Sequence, residues 1–231
     1  MNEANQQAPL YNSKIIDIYL KLLDKKYPWV NQYDLLRHAD MKPYQVADEG
    51  HWFSQEQIDR FYEKLVQVTD NTTIAREAGR FFAAPEVMNI MQQYILGMLG
   101  PTRVFDSLRK TAANFSRSSI YESKKLAPNR FEVTVTPEDG VTEKPFQCLN
   151  RQGFFEALPM LFTNKLPKVE QTECIFEGGS CCRYVVTWER TPSILLKQSR
   201  NLAAFLLVPA TITTGFFSPW SALAIALPAT A

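Results

Sequence analysis

From Asn201 to Ala231 the chain reads NLAAFLLVPATITTGFFSPWSALAIALPATA, without one charged residue. A bilayer span needs only about 20 apolar residues, so this run is expected in a membrane rather than in the core of a water-soluble domain. Pro209 and the stretch Phe217–Trp220 divide it into two short apolar segments with an interfacial tryptophan between them, which fits a hairpin returning to its starting side. Lys197 and Arg200 precede the run. The positive-inside tendency then places residues 1–200 in the cytoplasm and the anchor in the inner membrane. No second flank follows, so the expectation is the front part of a longer protein whose output module lies beyond it.

The rest has to fold in water. Over the whole chain 45% of residues are hydrophobic and 21% charged, the balance of a globular protein. Lys and Arg number 25 against 24 Asp and Glu, with no long basic block, which sets nucleic acid aside as a partner. Four cysteines are too few for a disulfide scaffold, and the N-terminus lacks the basic and apolar regions of a signal peptide. Reduced thiols are therefore expected.

Residues 1–12 read as a disordered N-terminus. KIIDIYLKLLDK, residues 14–25, spaces its apolar residues as a helix does, with Ser13 as N-cap. Residues 31–38 predict a second short helix, and SQEQIDRFYEKLVQVT a third, opened by a capping box of Ser54 and Gln57. Asp70 or Asn71 can cap a helix through TTIAREAGRFFA, and Pro85 and Pro101 suit the first turns of two more. After Phe115 the pattern changes. SIYESKKL and RFEVTVTP read as strands, PFQCLNRQGFFEALPMLF as a helix limited by Gly153 and Pro159, and KVEQTECIF and CRYVVTWE as two further strands joined by EGGS. The connections are too short for parallel crossovers, so the sheet should be antiparallel. The expected fold is α+β: a helical part over 13–115 packed on an α+β part over 116–190, a juxtamembrane linker over 191–200, and the membrane hairpin.

Three of the four cysteines stand in CIFEGGSCC, residues 174–182. Strand alternation puts Cys182, Tyr184, Val186 and Trp188 on one face and Cys181, Arg183 and Thr187 on the other. A three-residue turn would set Cys174 diagonal to Cys182, whereas a two-residue turn would set it with Cys181. Cys148, on the preceding helix, could pack across this sheet. Three thiolates with a carboxylate would suit a closed tetrahedral zinc site; the alternative is that these small apolar side chains simply fill a core.

Cys148, Cys174, Gly178 and Cys182-Arg183, with the preceding NTTIAREAGR and YILGMLG stretches, resemble the 4-vinyl reductase domain over roughly residues 10–190. That family is related to haem-nitric-oxide-binding folds and to the phenol-sensing domains of bacterial activators. The resemblance implies a small apolar ligand pocket and, in some members, zinc held by cysteines plus a glutamate. The ligand set carried over is Cys148, Cys174 and Cys182; the family's glutamate would fall on Gln171, leaving Glu170, taken as the fourth ligand, or Glu173 as substitutes. It also implies a bacterial signalling role ahead of membrane hairpins and output modules.

Aromatic and methionine side chains sufficient for a pocket are at hand, and Phe81, Phe82, Met91, Tyr94, Met98 and Phe155 are the expected ligand-binding set. They would equally build a plain core. Haem is set aside, because His38 and His51 are the only histidines and a helix-end histidine is more often exposed than axial. Arg76, Glu77 and Arg80 read as a solvated helix face. EGGS is a turn rather than a phosphate loop, and no catalytic constellation can be argued from spacing. The expected function is a membrane-anchored sensory domain that binds a small apolar or aromatic ligand and acts as a homodimer. A reductase or tetrapyrrole-pathway accessory enzyme, and a dimerisation module without ligand, are the alternatives.

Overall fold

The computed structural model describes residues 8–88 and 100–189, all of which fall in one compact unit, Met1–Glu189. The charge-free run at 201–231, with its expected membrane hairpin, lies outside the described residues. No helix among the described residues is long and apolar enough to cross a membrane.

The described residues open on a strand, and residues 1–7 of the expected disordered N-terminus lie outside them. β1 (Pro9–Asn12) pairs antiparallel with β2 (Trp52–Ser54), correcting the expectation for residues 9–12. Asn12, not Ser13, caps α1 (Ser13–Lys26), its Oδ1 accepting from Lys14 N at 3.1 Å. Its Nδ2 donates to the carbonyls of Glu49 and His51 at 2.9 and 3.2 Å, so one side chain ends a strand, starts a helix and ties both to the loop before β2. α2 (Gln32–His38) is capped by Asn31, and α3 (Pro43–Ala47) starts on a proline. α4 (Gln55–Thr69) opens with the capping box of Ser54 and Gln57 read from sequence. Its Ile58, Phe61 and Leu65 pack against Ile16, Tyr19 and Leu23 of α1 in the first core cluster.

α5 (Ile74–Phe81) is followed, beyond the undescribed 89–99, by helical residues 100–106 and the short α6 (Leu108–Ala112). Then comes the sheet: β3 (Ser119–Ala127), β4 (Arg130–Pro137), β5 (Lys168–Glu173) and β6 (Cys182–Thr187), antiparallel in the order β3-β4-β6-β5. β4 alternates as its sequence does, with Phe131, Val133 and Val135 buried. They join Tyr184, Val186 and the stacked Phe105 and Trp188 in the second core cluster.

α7 (Pro145–Thr163) joins the two halves. It runs through Gly153 and Pro159, both expected to limit it. A Cβ on Gly153 would lie 2.0 Å from the Arg76 carbonyl oxygen, and one on Gly79 would lie 2.1 Å from that of Asn150. The two glycines therefore let the backbones of α5 and α7 touch, and the contact outweighs their low helix propensity. Pro159 cannot donate to the preceding turn, but α7 is covered on both sides, with Phe155, Ala157, Leu158 and Phe162 all buried. Packing overrides the local preference.

Candidate functional site

Helical spacing divides α7 into two working faces. Cys148 and Phe155 look into the sheet cluster, while Asn150 turns to the helical half, its Nδ2 donating to Tyr19 Oη at 3.2 Å and to the Ala75 carbonyl at 3.1 Å. Between them Arg151 is buried at 6% exposure.

Two cavities, of about 60 and about 90 Å³, lie beside this helix and share the walls Ile15, Tyr19, Ser116, Tyr121, Asn150 and Arg151. The first is completed mainly by Phe61, Tyr62 and Phe146, and the second by Ala78, Gly79, Phe82 and Phe154. Apolar walls with a few convergent polar groups are the usual make-up of a small-molecule site.

The polar groups form a buried network. Arg151 pairs with Glu143, which is 4% exposed, and donates from Nη2 to Ser119 Oγ at 3.1 Å and from Nε to Tyr121 Oη at 3.0 Å. Ser118 and Ser119 donate to Glu143 Oε1 at 2.8 and 2.6 Å. Burial alone would raise the Glu143 carboxyl, but Arg151 and the two hydroxyls hold it below the ordinary carboxylate value. Tyr11, Gln55 and Gln147 form a second set, Gln147 donating to Tyr11 and Tyr11 to Gln55; burial pushes the Tyr11 phenol up. Among the described residues the buried Arg151 Nη1 and Glu143 Oε2 have no hydrogen-bond partner.

On the sheet side of α7, the ligand atoms of Cys148, Cys174 and Cys182 all lie within 4.8 Å of one another. The Cys148 and Cys182 sulfurs are 3.3 Å apart. In a tetrahedral zinc site, bonds of about 2.3 Å place sulfurs about 3.8 Å apart, so a small adjustment of side chains would fit these three thiols to one ion. A hydrogen bond from Cys148 holds the Cys182 thiol down to about 6, against burial, and the same bond raises Cys148.

Neither tight turn joins β5 to β6. A 3₁₀ turn, Ile175–Glu177, and Gly178 at φ 89° carry the chain round, and this longer loop brings Cys174 to Cys182. Cys181 points to the opposite face beside Arg183, as strand alternation requires. Glu170 does not join the cysteines. It pairs with Val185 in the ladder, on the face away from Tyr184 and Cys182, and is ion-paired with Lys168 at 2.8 Å. Glu173, the other substitute, accepts from Ser180 N and Oγ, both at 2.9 Å. The inward position is Gln171, which accepts from Gln152 at 2.7 Å.

Of the expected ligand-binding set, Phe82 lines the second cavity. Phe81 belongs to the first core cluster, and Phe155 is fully buried against Tyr184 in the second. Met91, Tyr94 and Met98 lie outside the described residues. Ile15, Tyr19, Tyr121, Asn150 and Arg151 were not anticipated. Arg151 left a trace in the sequence, as a charge on the apolar stripe between Cys148 and Phe155. Arg76 and Arg80 keep side chains 36% and 41% exposed on this helix face, and both also pair with Glu156, which is 2% exposed, across the α5–α7 contact.

No protein-family description matches the chain, and no curated protein matches it. Solved structures do. The fold resembles an H-NOX protein from S. oneidensis in its Fe(II)NO ligation state, with a TM-score of 0.59 at 10% identity over 78% of this chain and 99% of that one. It also resembles a substituted Tt H-NOX, with a TM-score of 0.58 at 16% identity over 78% and 95% of the two chains. A protein studied for porphyrin distortion and haem redox potential gives 0.56 at 14% identity over 77% and 99%. The described unit thus has the fold of H-NOX domains, the haem NO/oxygen-binding sensors.

This overturns the setting aside of haem, since the solved domains with this fold are haem proteins. His38 is exposed at the end of α2, and His51 stands before β2 against Phe53 at 4.7 Å. Neither borders a cavity. Among the described residues the walls of these two cavities offer no axial imidazole.

Proposed function

We propose that this unit is a sensor domain, of the 4-vinyl reductase kind on an H-NOX fold, that takes a small, mainly apolar or aromatic molecule into the paired cavities beside α7. The observation that carries the reading is the pair of cavities, apolar but converging on the buried Arg151. Ligand would favour one packing of α1 and α5 against α7, a population shift passed to an output module. Zinc would sit on Cys148, Cys174 and Cys182, with its fourth position left to a group other than Glu170. The charge-free run at 201–231 would anchor the chain in the inner membrane, with residues 1–200 cytoplasmic and the protein a homodimer.

The test is a screen of the full chain by thermal shift and native mass spectrometry against small aromatics, fatty acids and haem, with absorbance reporting haem uptake. Stabilisation by one ligand class, abolished by filling the cavity with Ile15→Trp, supports the reading. No stabilisation by any of them overturns it. Metal analysis of the same protein and of Cys182→Ser should show zinc near one per chain, lost in the variant.

A further inference from the structure

At the end of the four-stranded sheet where β6 finishes, the fold concentrates positive charge. Ladder register sets Ala127, Arg130, Thr187 and Lys168 in one row across β3, β4, β6 and β5. The β3–β4 hairpin and the α7–β5 loop therefore lie at the same end of the sheet. The Asn129 carbonyl accepts from Trp188 N at 3.1 Å, and Asn129 Nδ2 donates to the Trp188 carbonyl at 2.5 Å, which ties that hairpin to the chain just after β6.

Basic side chains outnumber their acidic partners here. Lys165 is paired with Glu189 at 2.5 Å and Lys168 with Glu170 at 2.8 Å. Lys124, Lys125 and Arg130 are exposed and have no ion pair among the described residues. Glu132, opposite Lys124 in the ladder, is held by Arg183 at 3.4 Å instead. The whole chain is only +1, so this end is positive relative to the rest. Two leucines stand among the cations, Leu126 at 42% and Leu166 at 59% exposure. A solvated hairpin needs neither. Exposed apolar side chains flanked by lysine and arginine suit the boundary of an anionic bilayer, where the leucines leave water and the cations meet headgroups.

Connectivity points to the same partner. The described chain leaves the sheet at this end, at Glu189, and the charge-free run begins at Asn201, twelve residues on. Twelve residues reach at most about 40 Å, so a bilayer holding that run is within reach of this surface. Resting on the reading that the run at 201–231 lies in a membrane, we infer that this end of the sheet is a docking surface for anionic lipid. Leu126 and Leu166 enter the interfacial layer, and Lys124, Lys125 and Arg130 meet the headgroup charges. Docking gives the unit a preferred orientation, with the C-terminal end of α7 towards lipid. Each cation near an anionic surface strengthens adsorption about fivefold, so the three together favour the docked orientation by about a hundredfold at low salt.

The test uses the full chain with vesicles of phosphatidylcholine alone and with about 30% phosphatidylserine. Flotation reads attachment, and mass spectrometry of lysine acetylation reads docking. Lys42, and Lys144 at the other end of α7, serve as exposed controls. On the anionic vesicles Lys124, Lys125, Lys165 and Lys168 should label at least about threefold more slowly than the controls, and about 0.5 M salt should remove that protection. The variant K124Q/K125Q/R130Q keeps the charge-free run with its flanking Lys197 and Arg200. It should still float, with Lys165 and Lys168 now labelling as the controls do, and L126S/L166S should weaken the protection as well. A melting curve checks that both variants are folded. Flotation without protection overturns the inference and leaves the anchor standing. Protection equally strong on neutral vesicles, or kept in the triple variant, also overturns it and points to a second copy or another protein on this face. Flotation with anionic vesicles alone, lost in the triple variant, supports the docking surface and overturns the anchor. Absence of flotation with either vesicle overturns both.

Discussion

Arg151 and Glu143 sit where a water-soluble core rarely tolerates charge, and their pairing makes stability depend on acid. The folded carboxyl of Glu143 lies below its ordinary value: burial pushes it up, but Arg151, Ser119 and Ser118 outweigh that. With the folded value depressed, the unfolded chain binds the proton more readily. The stabilisation is therefore present above the unfolded pKa, near 4.5, and is lost as pH falls through the lower, folded value. Melting temperatures should hold from pH 7 to about 5 and then fall towards pH 3, more steeply than surface carboxylates account for. Glu143→Gln should flatten that acid limb while lowering stability at pH 7 by about 3 kcal/mol, because a buried guanidinium is left uncompensated. Denaturant unfolding across pH checks both halves of the prediction; an unchanged acid limb in the variant would remove Glu143 from the account. Arg151 stands in the sequence as a charge on the stripe between Cys148 and Phe155, a signal the sequence reading does not use, and nothing in that stripe names its partner. Glu143 is eight residues upstream and reaches Arg151 only through the loop between β4 and α7.

At the level of elements, the contact between α5 and α7 depends on having no side chain at two positions. Alanine at Gly153 or Gly79 would gain about 1 kcal/mol of helix propensity, yet its Cβ would stand 2.0 or 2.1 Å from a carbonyl oxygen of the facing helix. Separating the helices would strain the pairing of Glu156 with Arg76 and Arg80, so either substitution should destabilise by about 2–4 kcal/mol net. Chemical denaturation measures the sign, and a stabilised Gly153→Ala would show that the helices are free to part. Elements whose local signals agree with their packing were legible: α4 with its capping box, and β4 with its alternating core residues, lie where their sequences put them. Those decided by tertiary contact were not. Gly153 and Pro159 are breakers by propensity, and only a facing glycine and burial on both sides explain why α7 continues. β1 and β2 are too short for a period to show, and their pairing is set by Asn12 reaching the Glu49–His51 loop. EGGS is turn-forming and predicts a tight hairpin, whereas the 3₁₀ turn Ile175–Glu177 before it supplies the extra length. The resemblance that grouped Cys148, Cys174 and Cys182 could not place Glu170, whose side is fixed by ladder register.

Across the whole unit, α7 is the element that both candidate sites share. Cys148 and Arg151 are one helical turn apart on it; the first belongs to the thiol cluster with the β5–β6 loop, and the second to the cavities with α1 and β3. A metal ion on the thiols would tie the loop at Cys174 to the helix, and a ligand in the cavities would tie the helical half to the same helix. Two ligands that order one element lower each other's cost of ordering, and the coupling must be reciprocal. Zinc present at about a hundred times its Kd should raise the melting temperature by about 5–10 °C, from about 2.7 kcal/mol of linkage in a unit of this size. Cys174→Ser should lose most of that rise. If α7 transmits between the sites, zinc should also tighten binding of a small aromatic that the thermal-shift screen selects several-fold, and that aromatic should tighten zinc binding by the same factor, each read by calorimetry in the presence of the other. Equal, unchanged affinities would mean that the turn between Cys148 and Arg151 is already rigid without either ligand. The sensory change would then have to arise on the helical side, where α1 and α5 meet the cavity.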